Sequence, residues 1–245
     1  TGVYISFIDP DDVVSNDFIE YLYHLCKNHH VDIAECDFIR FSDNEEIKPY
    51  IANEKIMKLN NEEIQKNLYN DYYVRAVVLW DKLYRSYIYK NIRFPKGKIN
   101  EDEAMIHLIY DACKTDIILS NQCLYYYRHN DESIMKRKFN PSRLDAIDAL
   151  KNRLAYYREN NKKELYLLTV KKYQIKLKDL YFLTKNYIDN PQKYMKIIMK
   201  EARNNYKEYV KVVPTNFFNK IKIGIFVYMP KVYSFFYQKH SKSER

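Results

Sequence analysis

The sequence predicts an α/β fold followed by an α-helical extension, and three observations carry that prediction. An apolar run, Val3-Tyr4-Ile5-Ser6-Phe7-Ile8, stops abruptly at Asp9-Pro10-Asp11-Asp12. A stretch of helical periodicity then leads to a second apolar run ending at Phe41, and after Pro141 the pattern becomes wholly helical. A chain of 245 residues that is 47% hydrophobic and 30% charged can bury a sizeable core. Only 3 Gly and 7 Pro stand against 26 Tyr and 12 Phe, which excludes collagen-like and low-complexity classes and favours long, rarely interrupted elements.

Val3 to Ile8 reads as a buried central strand whose carboxyl end opens into an acidic loop, with Pro10 ending it. Thr1 is not an initiator Met and no element precedes this strand, so the chain reads as cut from a longer protein. Asn16 or Asp17 can cap a helix reaching Asn28, because Phe18, Ile19, Leu22, Leu25 and Cys26 recur at helical spacing. Val31 to Phe41 is a second strand, and strand, helix, strand predicts a parallel, right-handed βαβ unit. Residues 42–70 are polar and weakly periodic, with a short helix expected after Asn60-Asn61-Glu62-Glu63.

Beyond Val74 to Tyr87 lies an acidic trio, Glu101-Asp102-Glu103, which opens a helix with the apolar stripe Met105, Leu108, Ile109, Ala112 and Cys113. Ile117 to Tyr127 is strand-like and leads into Arg128-His129 and the polar segment to Met135. Three helical patterns follow, from Leu144 to Tyr157, Leu165 to Leu183 and Tyr194 to Tyr209, broken at Asn160-Asn161 and Asn190-Pro191. The chain therefore divides into residues 1–139, a helical extension over 140–210, and a basic, aromatic, amphipathic tail over 211–245.

Two acidic clusters could carry chemistry. Asp9-x-Asp11-Asp12 lies at the carboxyl end of a strand, where ligands bind in open α/β sheets, and hard oxygen donors at that spacing suit Mg2+ or Mn2+. A solvated turn with a capping Asp accounts for the same residues. One member of Glu101-Asp102-Glu103 could serve as a general base, while the helix macrodipole alone also favours carboxylates there. The four cysteines, Cys26, Cys36, Cys113 and Cys123, form no CxxC pair, so neither a zinc site nor a disulfide framework is expected and a reducing cytoplasm is the simplest setting.

Taken together, four blocks resemble the successive signatures of bacterial glycosyltransferase family 2. They are Tyr4-Ile5-Ser6-Phe7-Ile8-Asp9-Pro10-Asp11-Asp12, then Trp80-Asp81-Lys82-Leu83-Tyr84-Arg85, then Ile92-Arg93-Phe94-Pro95 with Glu101-Asp102, and Tyr126-Tyr127-Arg128 with Ser133-Ile134. The resemblance implies a GT-A-like, Rossmann-related mixed sheet that lacks the family's N-terminal nucleotide-binding half. It implies inverting, metal-dependent transfer of a sugar from a nucleotide diphosphate sugar, usually UDP-linked, to an acceptor hydroxyl. Carried over by position, Asp11 is the direct metal ligand of the DxD element, Asp9 contacts the ribose or the metal through water, and Asp102 is the catalytic base. Lys82, Arg128 and His129 become candidates for the donor diphosphate, and His129 also for the metal, while Lys82 could equally flank a strand and His129 be a solvated surface residue. Trp80 is a candidate platform for donor or acceptor sugar, or else a core residue. No Gln-x-x-Arg-Trp element of the processive synthases is present, which favours single-sugar addition.

The formal net charge of +9 suits nucleic acid, an anionic membrane or a phosphorylated substrate. No RRM, KH or zinc-finger pattern appears, so no nucleic-acid partner is expected. The tail mixes Phe217, Phe218, Phe226, Tyr228, Phe235 and Phe236 with Lys220, Lys222, Lys231 and Lys239, which fits either a peripheral contact with an anionic membrane or a helix packed on the catalytic domain. The family expectation is a glycan or lipid-linked acceptor in cell-surface polysaccharide synthesis, with the enzyme cytoplasmic or at the inner membrane face. The alternatives are an inactive fragment acting as an association module and a basic nucleic-acid-binding protein.

Overall fold

Alternation of side chains along a strand sends neighbours to opposite faces, and Ile33 and Ala34 show it: each belongs to a different hydrophobic core. In this computed structural model, which describes residues 2–42, 47, 53–129 and 141–237, the chain separates into two units, Thr1–Arg137 and Lys138–Arg245.

The first unit is a mixed α/β layer structure. Among the described residues, six strands form its sheet: β1 (Tyr4–Ser6), β2 (Val13–Val14), β3 (Ile33–Phe41), β4 (Ile56–Leu59), β5 (Lys82–Arg85) and β6 (Ile117–Arg128). β3 and β6 run parallel along their lengths, Ile33 opposite Ile117 and Phe41 opposite Arg128. β5 lies antiparallel between β1 and β3, so β1 and β3 point the same way, as a βαβ unit requires, but are not neighbours. The far edge of β6 is shared by β4 near its start and β2 near its end.

β1 is a correction to the expected buried central strand. It ends the sheet order, pairs only with β5 among the described residues, and leaves Val3 and Ile8 exposed. β4 was not legible in the sequence: it is four residues long, mostly exposed, and shows no apolar alternation.

Helix α1 (Phe18–His29) buries Phe18, Leu22, Leu25 and Cys26 against Ala34, Leu83, Ile118 and Tyr125, while Ile19, expected in the stripe, faces solvent. It ends at His30, which turns left-handed at φ 55°. The other face of the sheet carries α2 (Asn61–Lys66), α3 (Tyr73–Val77) and α4 (Glu101–Asp111), with Ile64, Leu68, Ala76, Ile106, Ile109 and Tyr110 meeting Ile33, Tyr84 and Ile117. A capping box starts α2: Asn60 accepts from the Glu63 N–H at 2.9 Å and the Glu63 carboxylate takes the Asn60 N–H at 2.9 Å.

The second unit is helical: α5 (Asp145–Glu159), α6 (Lys163–Tyr187), α7 (Gln192–Val212), α8 (Phe217–Tyr228) and α9 (Pro230–Tyr237). Asn161 and Asn190 sit at φ 56° and 53°, the left-handed turns that asparagine tolerates and that end α5 and α6. Leu150, Leu177, Leu180, Ile198 and Ala202 form the core, to which α8 and α9 add Phe226, Val227 and Tyr233. Among the described residues no helix is long and apolar enough to cross a membrane.

Candidate functional site

The acidic loop after β1 is held by the end of β6. A turn closes between the Asp12 N–H and the Asp9 carbonyl at 3.1 Å. The Tyr125 hydroxyl donates to Asp12 Oδ2 at 2.7 Å and accepts the Asp9 N–H at 3.1 Å. The Arg128 N–H donates to Asp12 Oδ1 at 2.7 Å, and Arg128 Nε donates to the Asp11 carbonyl at 2.6 Å while its guanidinium lies 4.8 Å over the Phe41 ring. Asp12 thus spends both carboxylate oxygens on anchoring the loop. Desolvation raises its pKa, opposed by these hydrogen bonds.

Asp9 and Asp11 are the acids this anchoring presents. Asp11 is exposed. The Asp9 carboxyl is pushed up to about 6, first by desolvation against the protein around it and then by repulsion from Asp12, Asp11 and Glu101. Asp9 lines one cleft with Glu101 and Asp102, so the two acidic clusters, far apart in sequence, meet in space.

They meet in a cleft of about 300 Å³. Asp9, Glu101 and Asp102 form its acidic side, and Phe7, Val78, Leu79, Trp80 and Phe94 form its apolar side. The trio at the start of α4 divides its labour. Asp102 faces the cleft with Oδ1 accepting the Glu103 N–H at 2.6 Å, whereas Glu103 turns inward, buried, with the Tyr73 hydroxyl donating to it. Asn100 in the left-handed region, φ 59°, lets the chain enter α4 at this angle.

Trp80 is 8% exposed. Its indole stacks on Tyr125 and Tyr127, with centroids at 4.3 and 5.5 Å, and takes the edge of Phe38 at 4.9 Å, so most of its surface is committed to packing. The ring that stands open in the cleft is Phe94, 38% exposed and set edge-on to Phe7 at 5.8 Å. Phe7 and Phe94 stood in the sequence only as members of the first and third blocks, with no role in the site, and the anchoring Tyr125 lay just outside the fourth.

Lys82 is not at the cleft surface, contrary to the diphosphate role expected for it. It is fully buried, and its ammonium donates to the Arg75 carbonyl at 2.6 Å, the Val78 carbonyl at 2.9 Å and the Asp81 carboxylate, with Glu35 Oε2 at 3.3 Å. Arg75 completes the cluster, its Nε on Glu35 at 2.9 Å and its NH1 on Asp37 at 3.0 Å. These ions hold the segment that carries Val78, Leu79 and Trp80 to the cleft wall. Arg85, the other cation of that block, lies 4.6 Å over the Tyr4 ring.

His129 prolongs the β3–β6 pairing through its N–H on the Phe41 carbonyl at 2.7 Å and has an exposed side chain beyond Arg128. Ser133 and Ile134 of the fourth block lie outside the described residues. Among the described residues no three His, Cys, Asp or Glu side chains group as a cation site. Asp9 and Asp11 offer hard oxygen donors of the kind that hold Mg2+ or Mn2+ when substrate phosphate and water complete the shell, and to that extent they fit such an ion.

No protein-family model matches the chain. It is 27% identical over 160 residues to the glycosyltransferase GlyA of Streptococcus pneumoniae serotype 4, covering 63% of this chain and 23% of that protein. The glycosyltransferase GlyG of the same organism is 25% identical over 147 residues, 58% of this chain and 48% of GlyG. An uncharacterized glycosyltransferase of Bacillus subtilis, EpsJ, is 23% identical over 146 residues, 58% of this chain and 42% of EpsJ. The matches thus span from about a quarter to half the length of these relatives. Among solved structures, Staphylococcus aureus TarS 1-349 in complex with UDP-GlcNAc superposes with a TM-score of 0.44 at 13% identity, over 85% of this chain and 50% of that one.

Proposed function

We propose that this chain carries the metal-binding and base-bearing part of an inverting glycosyltransferase of GT-A type. The enzyme transfers a sugar from a nucleotide diphosphate sugar, UDP-linked, to a hydroxyl of a glycan or lipid-linked acceptor. One observation carries the reading: a single cleft joins Asp9 of the first acidic cluster to Glu101 and Asp102 of the second, in a chain whose relatives are glycosyltransferases.

Asp11 and Asp9 hold Mn2+ or Mg2+ together with the donor diphosphate. The ion, when bound, supplies charge neutralisation for the leaving nucleoside diphosphate. Arg128, fixed beside Asp11, and the adjacent His129 border the diphosphate. Asp102, oriented by the Glu103 N–H, accepts the proton of the acceptor hydroxyl as that oxygen attacks the anomeric carbon. The new C–O bond forms on one face as the bond to the diphosphate breaks on the other, and this single displacement inverts the configuration. Phe94 presents its ring to the apolar face of a sugar, and Trp80 forms the wall behind.

Thermal melting of the chain with UDP, GDP, CDP or ADP, each with and without Mn2+, tests this, because a ligand bound only by the native state raises Tm. A rise that requires both UDP and Mn2+, disappears in Asp11→Asn and persists in Asp102→Asn is the expected result. No rise with any pairing overturns the reading. Asp102→Asn should also lower UDP release from UDP-sugar by about 10²- to 10⁴-fold at unchanged Tm.

A further inference from the structure

We infer that α8 and α9 form a docking face for an anionic lipid surface, on which they lie flat. This inference does not depend on the glycosyl-transfer reading.

The inward side of the pair is fixed. Phe226, Val227 and Tyr233 are buried in the helical core. A Cβ on Gly224 would meet the Tyr206 hydroxyl at 2.7 Å, so α8 lies tight on α7 there. The Tyr206 hydroxyl donates to the Lys220 carbonyl at 3.0 Å, and Lys220 Nζ donates to the Val210 carbonyl at 2.9 Å. α8 therefore cannot roll to hide its other side.

That other side is aromatic and open. Phe218 is 80% exposed, Phe217 70% and Phe235 64%, with Phe236, Tyr228 and Met229 also more than half exposed. Water-facing surfaces of soluble proteins rarely concentrate apolar side chains in this way. Over residues 211–237 the only ionisable acid–base charges are Lys211, Lys220, Lys222 and Lys231; there is no Asp or Glu. Phe and Met with lysines alongside are the composition of helices that rest in a membrane interface, the rings among acyl chains and the ammonium groups at anionic headgroups. At 12 and 8 residues, α8 and α9 are suited to lie on a bilayer rather than span it. A second copy is the poorer complement, since a two-fold contact would gather the exposed Lys222 and Lys231 of both copies with no Asp or Glu in residues 211–237 to pair them.

Sedimentation of the whole chain with phosphatidylcholine vesicles, with or without phosphatidylglycerol, tests the inference. The chain should bind the phosphatidylglycerol vesicles and bind pure phosphatidylcholine about tenfold more weakly. Combined Phe217→Ser, Phe218→Ser, Phe235→Ser and Phe236→Ser should cost about tenfold or more in binding at unchanged helical circular dichroism. Lys222→Gln with Lys231→Gln should weaken binding and flatten its salt dependence. Failure to bind either vesicle, or equal binding by the phenylalanine variant, overturns the inference. So does a dimer in vesicle-free solution that the same four substitutions dissociate, which assigns the face to a second copy.

Discussion

In the sheet unit the central contact is β3 against β6, elements separated in the chain by β4, β5 and the helices α2, α3 and α4, and the core beside it contains Glu35, Asp81 and Lys82, all fully buried. In the helical unit each helix packs on the next, α5 on α6, α6 on α7, α7 on α8 and α8 on α9. There the buried polar contacts include amide and carbonyl groups, such as Asn205 Nδ2 on the Gln174 Oε1 at 2.9 Å and on the Val170 carbonyl at 3.0 Å. The contrast separates two uses of a core. Sequential helices are brought together by short connections and pack mainly through apolar stripes, although α5 also buries Arg153 completely. The cleft wall must be positioned from distant segments, and a buried ion cluster, costly to desolvate, sets its geometry through directional hydrogen bonds.

The largest expected effect comes from breaking that cluster. Lys82→Met strips Asp81 of its ammonium partner inside the core and should cost about 3–5 kcal/mol. Hydrogen exchange should show lost protection in Ile33–Phe41 and Ile117–Arg128 with α6 and α7 retained; equal loss in both units would erase the distinction between them. Leu177→Ala is the reciprocal change, since Leu177 is fully buried among helical side chains. It should cost about 3 kcal/mol by cavity formation, with exchange rising in α6 and α7 first.

A pH titration sharpens the comparison. Burial, reinforced by Glu35, raises the Asp81 pKa above the ordinary carboxylate value, with Lys82 pulling the other way. The folded chain then holds a proton that the unfolded chain has released, so this group's contribution to stability is full at low pH and falls as pH rises through the raised value. The slope is at most about 1.4 kcal/mol per pH unit. Asp81→Asn, neutral at every pH, should remove it in denaturant titrations of the sheet unit, and Leu177→Ala should leave it intact. Smallest is Asn60→Ala, which removes the α2 cap for about 1 kcal/mol, measurable as a shift in the urea midpoint of the sheet unit alone.

How much of this could be read in advance followed the same divide. The boundaries at Asn160-Asn161 and Asn190-Pro191 and the opening of α4 at Glu101 were legible, because capping, left-handed turns and apolar periodicity are local. Lys82 was misread because its partners Glu35, Arg75 and Val78 come from a strand, a helix and a turn that only the fold assembles. Trp80 was open between platform and core, and its stacking on Tyr125 and Tyr127 with Phe38 at its side settles it as mostly packed. The meeting of Asp9 with Glu101 was reachable only through the four-block resemblance, since no spacing rule links residues so far apart.

The stacked indole has an optical consequence. Trp80 is the only tryptophan in the chain, and it borders the cleft. Selective excitation of that one emitter therefore reports on the cleft: any ligand entering beside the indole should alter its emission directly, with no dye attached.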